Sequence, residues 1–239
     1  MASASDRMAA GAGLGALAKA DELKKRLLFT LGALIIYRLG TYVPLPGINP
    51  GALSDVFSQQ SSGILGMFDM FSGGALGRMT IFALNIMPYI TASIIMQLMT
   101  AIVPTLEALK KDGESGRKQI NQYTRYLTVL LATVQGYGIA VGLESASGVV
   151  SDPGMFFRVT TVVTLVGGTL FLMWLGEQIT SRGVGNGISL IIFSGIVAEL
   201  PTALAGTLEL GRTGALSVVL ILALFVMAAA VIAFIVFSE

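Results

Sequence analysis

The composition of the chain sets the first limits on its function. Of its 239 residues, 54% are hydrophobic and only 12% are charged, whereas a soluble globular domain carries about 25% charged residues. The formal net charge of +1 provides no overall field that would hold nucleic acid or an acidic partner. The sequence contains no His and no Cys, which excludes His-based triads, thiolate nucleophiles, disulfides and the usual zinc and haem ligands.

Six apolar stretches approach the length of about 20 helical residues that crosses a bilayer core of about 30 Å. They comprise residues 27–43, 79–103, 126–143, 159–176, 187–205 and 213–238. Their only charged residues are Arg38 in the first and Glu199 in the fifth. We therefore predict an all-α fold, a polytopic membrane helix bundle of six spans, in which the fifth span is the weakest.

Positive charges are unevenly distributed among the connections of these spans. Most cations lie before the first span or between the second and third, among them Lys19, Lys24, Lys25, Arg26, Lys110, Lys111, Arg117 and Lys118; Arg125 opens the third span, and Arg182 lies between the fourth and fifth. The alternate connections carry few, namely Arg78, Arg158 and Arg212. The positive-inside rule therefore predicts a cytoplasmic N-terminus and, with six spans, a cytoplasmic C-terminus.

The two ends of the chain lie outside this pattern. Residues 1–26 do not resemble a signal peptide, because their basic cluster follows the Gly- and Ala-rich stretch and no cleavable apolar core opens the chain. We predict that they form a cytoplasmic tail with a short amphipathic segment. Glu239 directly follows an apolar run, so we expect the sequence to be a piece of a longer protein.

A glycine-bounded apolar stretch, SGILGMFDMFSGG, occupies residues 62–74 between the first two spans. Its roughly ten helical residues would cover about 15 Å, which is half of the bilayer core. It is either an interfacial helix or an extracellular loop packed on the bundle, or else a re-entrant segment. A re-entrant segment is tolerated at membrane depth only inside protein or beside a water-filled cavity.

Two pairs of isoleucines have helical spacing. Ile86 and Ile90 are four residues apart in the second span, as are Ile188 and Ile192 in the fifth, so each pair shares one helix face. Such residues usually face lipid or a neighbouring helix, and periodicity alone does not decide whether they line a pore. Because Pro88 would lie inside the second span, we expect neighbouring groups to satisfy the carbonyl that it frees.

The connection between the second and third spans, residues 104–123, carries both signs of charge around an Asp-Gly turn. Its cations Lys110, Lys111, Arg117 and Lys118 are typical of a solvated cytoplasmic loop that obeys the orientation rule. The alternative is a docking surface for a cytosolic partner, and the residues themselves favour the solvated loop.

Five segments of the sequence together resemble one known protein family. They are YVPLPGI (42–48), MFDMFSGGALGR (67–78), IMPYITASIIMQL (86–98), DGESGRKQINQYTRY (112–126) and FLMWLGEQITSRGVGNGISLIIF (171–193). In content and order they resemble the SecY family, the channel subunits of the bacterial protein-conducting Sec translocon.

The resemblance implies two pseudo-symmetric halves of five helices, related as inverted repeats around an hourglass pore. The chain would hold the first half, residues 27–206, which includes a re-entrant plug at 63–74. Residues 207–239 would be the sixth transmembrane helix, the start of a missing second half. The large cytoplasmic loops that in the family receive a motor ATPase or the ribosome would lie beyond Glu239.

The resemblance also implies functional residues. The pore ring falls on Ile86, Ile90, Ile188 and Ile192. The plug falls on Gly63, Ile64, Leu65, Met67, Phe68, Met70, Phe71, Gly73 and Gly74. A lateral gate would lie on residues 91–100 and 124–133, where we expect Gln97 to face the interior, because an unpaired polar group beside lipid costs a few kcal/mol.

The implied function is a central pore-forming subunit, with no enzymatic activity and no cofactor, in the bacterial inner membrane. It would pass unfolded secretory polypeptides across the membrane and release transmembrane segments sideways into lipid. Implied partners are small membrane subunits of the SecE and SecG types, the SecA motor ATPase, the ribosome, a preprotein with its signal sequence, and membrane lipid, with no direct contact to nucleic acid. Lys110, Lys111, Arg117 and Lys118 would supply a minor share of partner contact.

Two other classes of membrane protein remain as alternatives. Half of an inverted-repeat secondary transporter would need ionisable or unwound polar groups near the midplane, whereas the second and fifth spans offer aliphatic residues there and Glu199 lies toward an end. An integral-membrane hydrolase would need a catalytic pair within the bilayer, and the sequence has no His, no Cys and no paired intramembrane Asp.

Overall fold

The computed structural model describes residues 21–60, 69–70, 72–146, 148–214 and 217–238. Within these ranges the chain forms helices, and its only β pairing is two isolated bridges, Pro44 with Thr80 and Ile48 with Val150. The helices are α1 (Asp21–Gly40), α2 (Pro50–Gln60), α3 (Met87–Ile102), α4 (Pro104–Lys111), α5 (Glu114–Ser145), α6 (Met155–Arg182), α7 (Gly187–Arg212) and α8 (Val218–Ser238). The all-α prediction is confirmed. The chain divides into two compact units after Ile196, and most of the contacts described below lie in the first.

Four of the described helices, α5 to α8, are long and apolar enough to cross a membrane, and α3 with α4 makes a fifth if that bent pair is one span. One of the six predicted spans, residues 27–43, therefore does not meet this criterion, and the count of six stays a prediction. The remaining predicted stretch corresponds to α1, which begins at Asp21, six residues before the predicted span. The helix thus includes Lys24, Lys25 and Arg26 in addition to Arg38.

The second predicted span is helical only from Met87 onwards, because residues 73–86 form a series of turns and bends. Pro88 consequently lies in the first turn of α3 rather than inside a helix. A proline is well accommodated there, since its fixed φ suits a helix start and the N–H that it lacks has no intrahelical acceptor. The expectation that Pro88 lies inside the second span and frees a helix carbonyl there is therefore wrong.

A 99° bend separates α3 from α4. Val103 at the junction has the extended torsions φ −96° and ψ 115°, because the ring of the following Pro104 disfavours helical torsions in the residue before it. Beyond α4, at the start of α5, a Cβ on Gly116 would overlap the carbonyl oxygen of Leu109 in α4. Glycine at this position lets the start of α5 pass closely over α4.

The antiparallel helices α5 and α6 form the centre of the first unit. The buried face of α5 is a stripe of small residues at four-residue spacing: Thr124, Thr128, Ala132, Gly136 and Ala140. Gly136 lies against Leu165 of α6, and a Cβ on Gly136 would be 3.7 Å from the Cβ of Leu165. Small side chains allow two helices to approach closely in a membrane, where packing rather than water exclusion drives their association.

An ion pair joins α5 to α6 near each end. Arg125 of α5 pairs with Glu177 of α6 at 2.7 Å, and Glu144 of α5 pairs with Arg158 of α6 at 2.6 Å. Glu144 also accepts a hydrogen bond from the backbone N–H of Gly154 at 2.9 Å. Along each helix the positive residue comes first and the negative residue second. Opposite charges therefore meet at both pairs only if the two helices are antiparallel.

Candidate functional site

A buried apolar cluster, which we call the isoleucine cluster, joins side chains from α1, α3, α6, α7 and the turns before α3. Its buried members are Ala33, Tyr37, Phe82, Ile86, Leu172, Leu175, Ile179 and Ile191, and Leu34, Ile81, Tyr89, Ile90, Ile188 and Leu190 pack against it. The cluster thus brings together residues from segments that are distant from one another in the sequence.

Three of the four predicted ring residues lie in this cluster. Ile86 is buried, with 1% of its surface exposed, and the half-buried Ile90 and Ile188 pack beside it. Ile192 is half-buried, and among the described residues it is not a member of the cluster. Its neighbour Ile191, which sequence reasoning missed, is fully buried there. Helical spacing alone could not distinguish these two adjacent isoleucines.

Close glycine contacts bring α7 against α6 at the cluster. A Cβ on Gly176 would lie 3.0 Å from Cγ1 of Ile188, and a Cβ on Gly187 would overlap the carbonyl oxygen of Gly176. A larger residue at either position would displace α7, so these glycines set how deeply Ile188 reaches into the cluster.

Stacked aromatic rings support the cluster from α1 to α6. The ring centroids of Tyr37 and Phe82 are 6.2 Å apart, and those of Phe82 and Phe171 are 5.8 Å apart. The Trp174 ring lies 5.8 Å from the centroid of Phe171. Such pairs add about 0.5–1.5 kcal/mol each beyond their buried area. The sequence offered no signal for this series, because its members come from three distant segments.

The predicted plug is described only in part. Gly63, Ile64, Leu65, Met67, Phe68 and Phe71 lie outside the described residues. Met70 is 46% exposed, whereas Gly73 and Gly74 are buried and have φ values of +65° and +77°. Glycine adopts these torsions without the steric penalty that other residues meet, so the chain can turn sharply at the end of the predicted plug.

Two arginines converge on the backbone at this turn. Arg38 Nη1 donates to the carbonyl oxygen of Gly73 at 2.8 Å, and Arg78 Nη2 donates to the same oxygen at 2.9 Å. The Tyr42 ring lies near both guanidinium groups, 5.2 Å from that of Arg38 and 4.5 Å from that of Arg78. Charged donors make stronger hydrogen bonds than neutral ones, so Gly73 is held firmly between α1 and the following turns.

The turn is also fixed from within. The side chain of Asp69 accepts a hydrogen bond from the backbone N–H of Gly77 at 2.6 Å, and the Ser72 hydroxyl donates to the Asp69 carbonyl at 2.8 Å. Tyr37 of the isoleucine cluster donates to the Ser72 carbonyl at 3.3 Å. The C-terminal end of the predicted plug is therefore hydrogen-bonded directly to the cluster.

The predicted gate residues lie on α3 and α5, which pack together. Gln97 is exposed in this chain, and its amide nitrogen lies 3.3 Å from the Ser93 hydroxyl. It lines a cavity of about 250 Å³, which it shares with Thr100, Asn121 and the cations Lys110 and Arg117. Within this chain the side chain opens onto a cleft between α3 and α5, and the expectation that Gln97 faces the channel interior stays a prediction.

The four predicted contact cations lie around the turn between α4 and α5. Lys110 and Lys111 end α4, and Arg117 and Lys118 lie in the first turns of α5. Lys110, Lys111, Arg117 and Lys118 are all exposed. Lys111 pairs with Glu107 at 2.6 Å within α4. The charges are therefore grouped at one turn, where solvent reaches them.

Comparison with known proteins gives consistent results. A family model described as SecY matches residues 80–239. The protein translocase subunit SecY of Escherichia coli K12 is 55% identical over 237 residues, which cover 98% of this chain and 52% of the relative. The SecY subunit of Rickettsia conorii is 56% identical over 223 residues, covering 92% of this chain and 52% of the relative. The chain thus spans about half the length of the curated relatives it matches.

Solved structures share the fold. A Sec61 in the canine ribosome–channel complex from the endoplasmic reticulum matches with a TM-score of 0.55 and 20% identity, covering 79% of this chain and 38% of that chain. A structure of a protein-conducting channel matches with the same TM-score, identity and coverage. Because the family model covers most of the sequence, and both the fold and the similar relatives agree with it, the chain belongs to the SecY family.

Proposed function

We propose that the chain is part of the central pore-forming subunit of a protein-conducting channel, which passes unfolded secretory polypeptides across the bacterial inner membrane. It would also release transmembrane segments sideways into lipid, and it would make or break no covalent bond. Membership of the SecY family supports this proposal. The observation that carries it is the isoleucine cluster, in which Ile86, Ile90 and Ile188 come together from two distant parts of the chain.

An aliphatic constriction suits such a channel for a physical reason. A narrow apolar neck loses its water and so blocks ions, which cannot shed their hydration shells there. Aliphatic side chains also offer no hydrogen bonds or charges that would hold a passing polypeptide. In this proposal Ile86, Ile90, Ile188 and Ile192 contribute to the pore ring, and the rest of the ring comes from the second half of the channel.

The proposed organisation follows the family. Residues 1–26 form the cytoplasmic tail and amphipathic segment, residues 27–206 form the first five-helix half, and residues 207–239 form the sixth helix. The plug at residues 63–74 closes the ring from the extracellular side, and the hydrogen-bonded turn at Gly73 is its attachment to the bundle. The relatives' greater length supports a second half that completes the pore and the lateral gate.

The proposed partners are the SecE-type and SecG-type membrane subunits, the SecA motor ATPase, the ribosome, a preprotein with its signal sequence, and lipid. The ribosome is supported by the structural neighbour from a ribosome–channel complex. Lys110, Lys111, Arg117 and Lys118 would contribute a minor share of cytosolic contact, since exposed charges at a rim raise the rate of encounter more than the affinity. The transporter alternative has no support from the comparisons.

The proposal is tested by measuring resting ion conductance of the full-length protein, reconstituted in planar bilayers with its partner subunits. Replacing Ile86 and Ile90 with Ser should raise the resting conductance several-fold, because a polar collar retains water. Ile102→Ser is the matched control, since Ile102 lies on the same helix as Ile90 but is 74% exposed, and it should leave conductance unchanged. Unchanged conductance in the Ile86 and Ile90 variants would overturn the assignment, as would uptake of a small solute driven by an ion gradient.

A further inference from the structure

The ion pair between Arg125 and Glu177 has a more demanding geometry than a typical surface pair. Arg125 Nη2 donates to both carboxylate oxygens of Glu177, at 2.7 and 2.8 Å, and Nε donates to one of them at 3.2 Å. Both side chains are partly exposed, at 49% and 35%, so the pair adds little to overall stability. Bidentate contact does, however, fix the relative orientation of the two groups. It therefore restrains the rotation of α6 against α5.

This pair lies beside the isoleucine cluster. Glu177 directly follows Gly176, the residue against which Ile188 of α7 packs. Ile90 and its neighbour Tyr89 of α3 pack against the same cluster. A change in the orientation of α6 at Glu177 would thus be transmitted through Gly176 to Ile188, and it would alter the separation of Ile188 from Ile90.

We propose that Arg125 and Glu177 are positioning residues for the closed constriction, and this proposal rests on the pore function proposed above. By holding α6 in one rotation on α5, they keep Ile188 and Ile90 at the separation at which the apolar neck excludes water. Neither residue contacts the ions that are excluded. Loss of the pair would loosen the neck without removing any of its side chains.

The same two helices supply a matched control. Glu144 and Arg158 form an ion pair of the opposite charge order at the other end of α5 and α6. Their neighbours Leu143 and Phe157 belong to a second buried cluster, which contains none of the predicted ring isoleucines. This pair therefore joins the same helices, but it has no direct path to Ile90 or Ile188.

The test compares both pairs in the full-length protein, reconstituted with its partner subunits. Arg125→Gln and Glu177→Gln should each raise resting ion conductance several-fold. The charge swap Arg125→Glu with Glu177→Arg should return it toward the original value. Arg158→Gln should leave conductance unchanged. Thermal unfolding in detergent is recorded for every variant, and only those that remain folded at the temperature of the bilayer measurement are compared.

The outcomes separate the two proposals. Unchanged conductance in Arg125→Gln and Glu177→Gln, with leak in the Ile86 and Ile90 variants, would overturn the positioning role and leave the pore function standing. Equal leak in Arg158→Gln would also overturn it, because the effect would then come from general loosening of the helix pair. Failure of the charge swap to reduce the leak would show that pairing is not the cause. No leak in any isoleucine variant would instead overturn the pore function.

Discussion

Two adjacent glycines in α6 meet different surroundings. A Cβ on Gly168 would overlap the carbonyl oxygen of Ile81 and lie 3.2 Å from the ring of Phe82, whereas a Cβ on Gly167 would meet nothing within 4 Å. Gly168 thus lets the turns that carry the isoleucine cluster lie directly on α6. The sequence could not distinguish the two positions, because both are glycines in the same apolar span and nothing local shows which one faces the turns before α3.

Alanine at these two positions should have opposite effects. Gly168→Ala should lower the free energy of unfolding by about 1–3 kcal/mol, because the backbone of Ile81 must move. Gly167→Ala should leave it unchanged or raise it by up to about 1 kcal/mol, since alanine favours the helix. Denaturant unfolding of the full-length protein in detergent measures both. Equal destabilisation would contradict the close approach at Gly168.

Among the elements, α7 has a defined start although it follows a glycine-rich turn. Asn186 Oδ1 accepts hydrogen bonds from the backbone N–H groups of Ile188 and Ser189, at 3.0 and 3.3 Å. Its own carbonyl accepts the first helical bond, from Leu190. Asn186 is therefore an N-cap, and Gly185, with φ +76°, provides the turn before it. The cap fixes the residue at which α7 begins, and so the face that Ile188 presents.

Removal of this cap should weaken the start of α7. Asn186→Ala should cost about 1 kcal/mol in the free energy of unfolding, since it leaves two backbone donors without their acceptor. Hydrogen exchange at Ile188 and Ser189 should become faster. Asn186→Asp keeps an acceptor oxygen in place and serves as the control, which should exchange at close to the original rate. Similar exchange in both variants would argue against capping by Asn186.

For the whole molecule, orientation in the membrane follows from charge rather than packing. The cations at the turn between α4 and α5 contrast with the connection between α5 and α6, where Asp152 is exposed and Arg158 is paired with Glu144. The positive-inside rule depends on such a contrast in short connections. It supports a cytoplasmic N-terminus and predicts that Lys111 and Asp152 lie on opposite sides of the membrane.

This orientation is measured by cysteine labelling. The chain has no Cys, so Lys111→Cys and Asp152→Cys each introduce one thiol, once any cysteine elsewhere in the full-length protein has been replaced. In intact spheroplasts an impermeant maleimide should label Asp152→Cys alone, because the thiol at position 111 faces the cytosol. Lysis should make both reactive. Labelling of Lys111→Cys before lysis would reverse the predicted topology.

Much of the fold follows from the sequence, because a bilayer imposes a simple rule on helix length and polarity. Residues 126–143, 159–176, 187–205 and 213–238 were identified as spans, and each lies within or largely overlaps a described helix. The start of α3 was not identified, because residues 79–86 are as apolar as the helix that follows. Hydropathy marks which residues avoid water, and in a membrane it does not mark where a helix begins.

The sequence by itself determined the class of the protein, its family motifs and the candidate isoleucines. Only the tertiary structure decided that Ile191 rather than Ile192 is buried in the cluster, that Arg38 and Arg78 share the Gly73 carbonyl, and that Arg125 pairs with Glu177. The pair of Arg125 and Glu177 alone joins residues 52 positions apart, and Ile191 shares its cluster with residues still more distant in the sequence. They depend on how whole helices rotate and approach one another, and local periodicity carries no information about either.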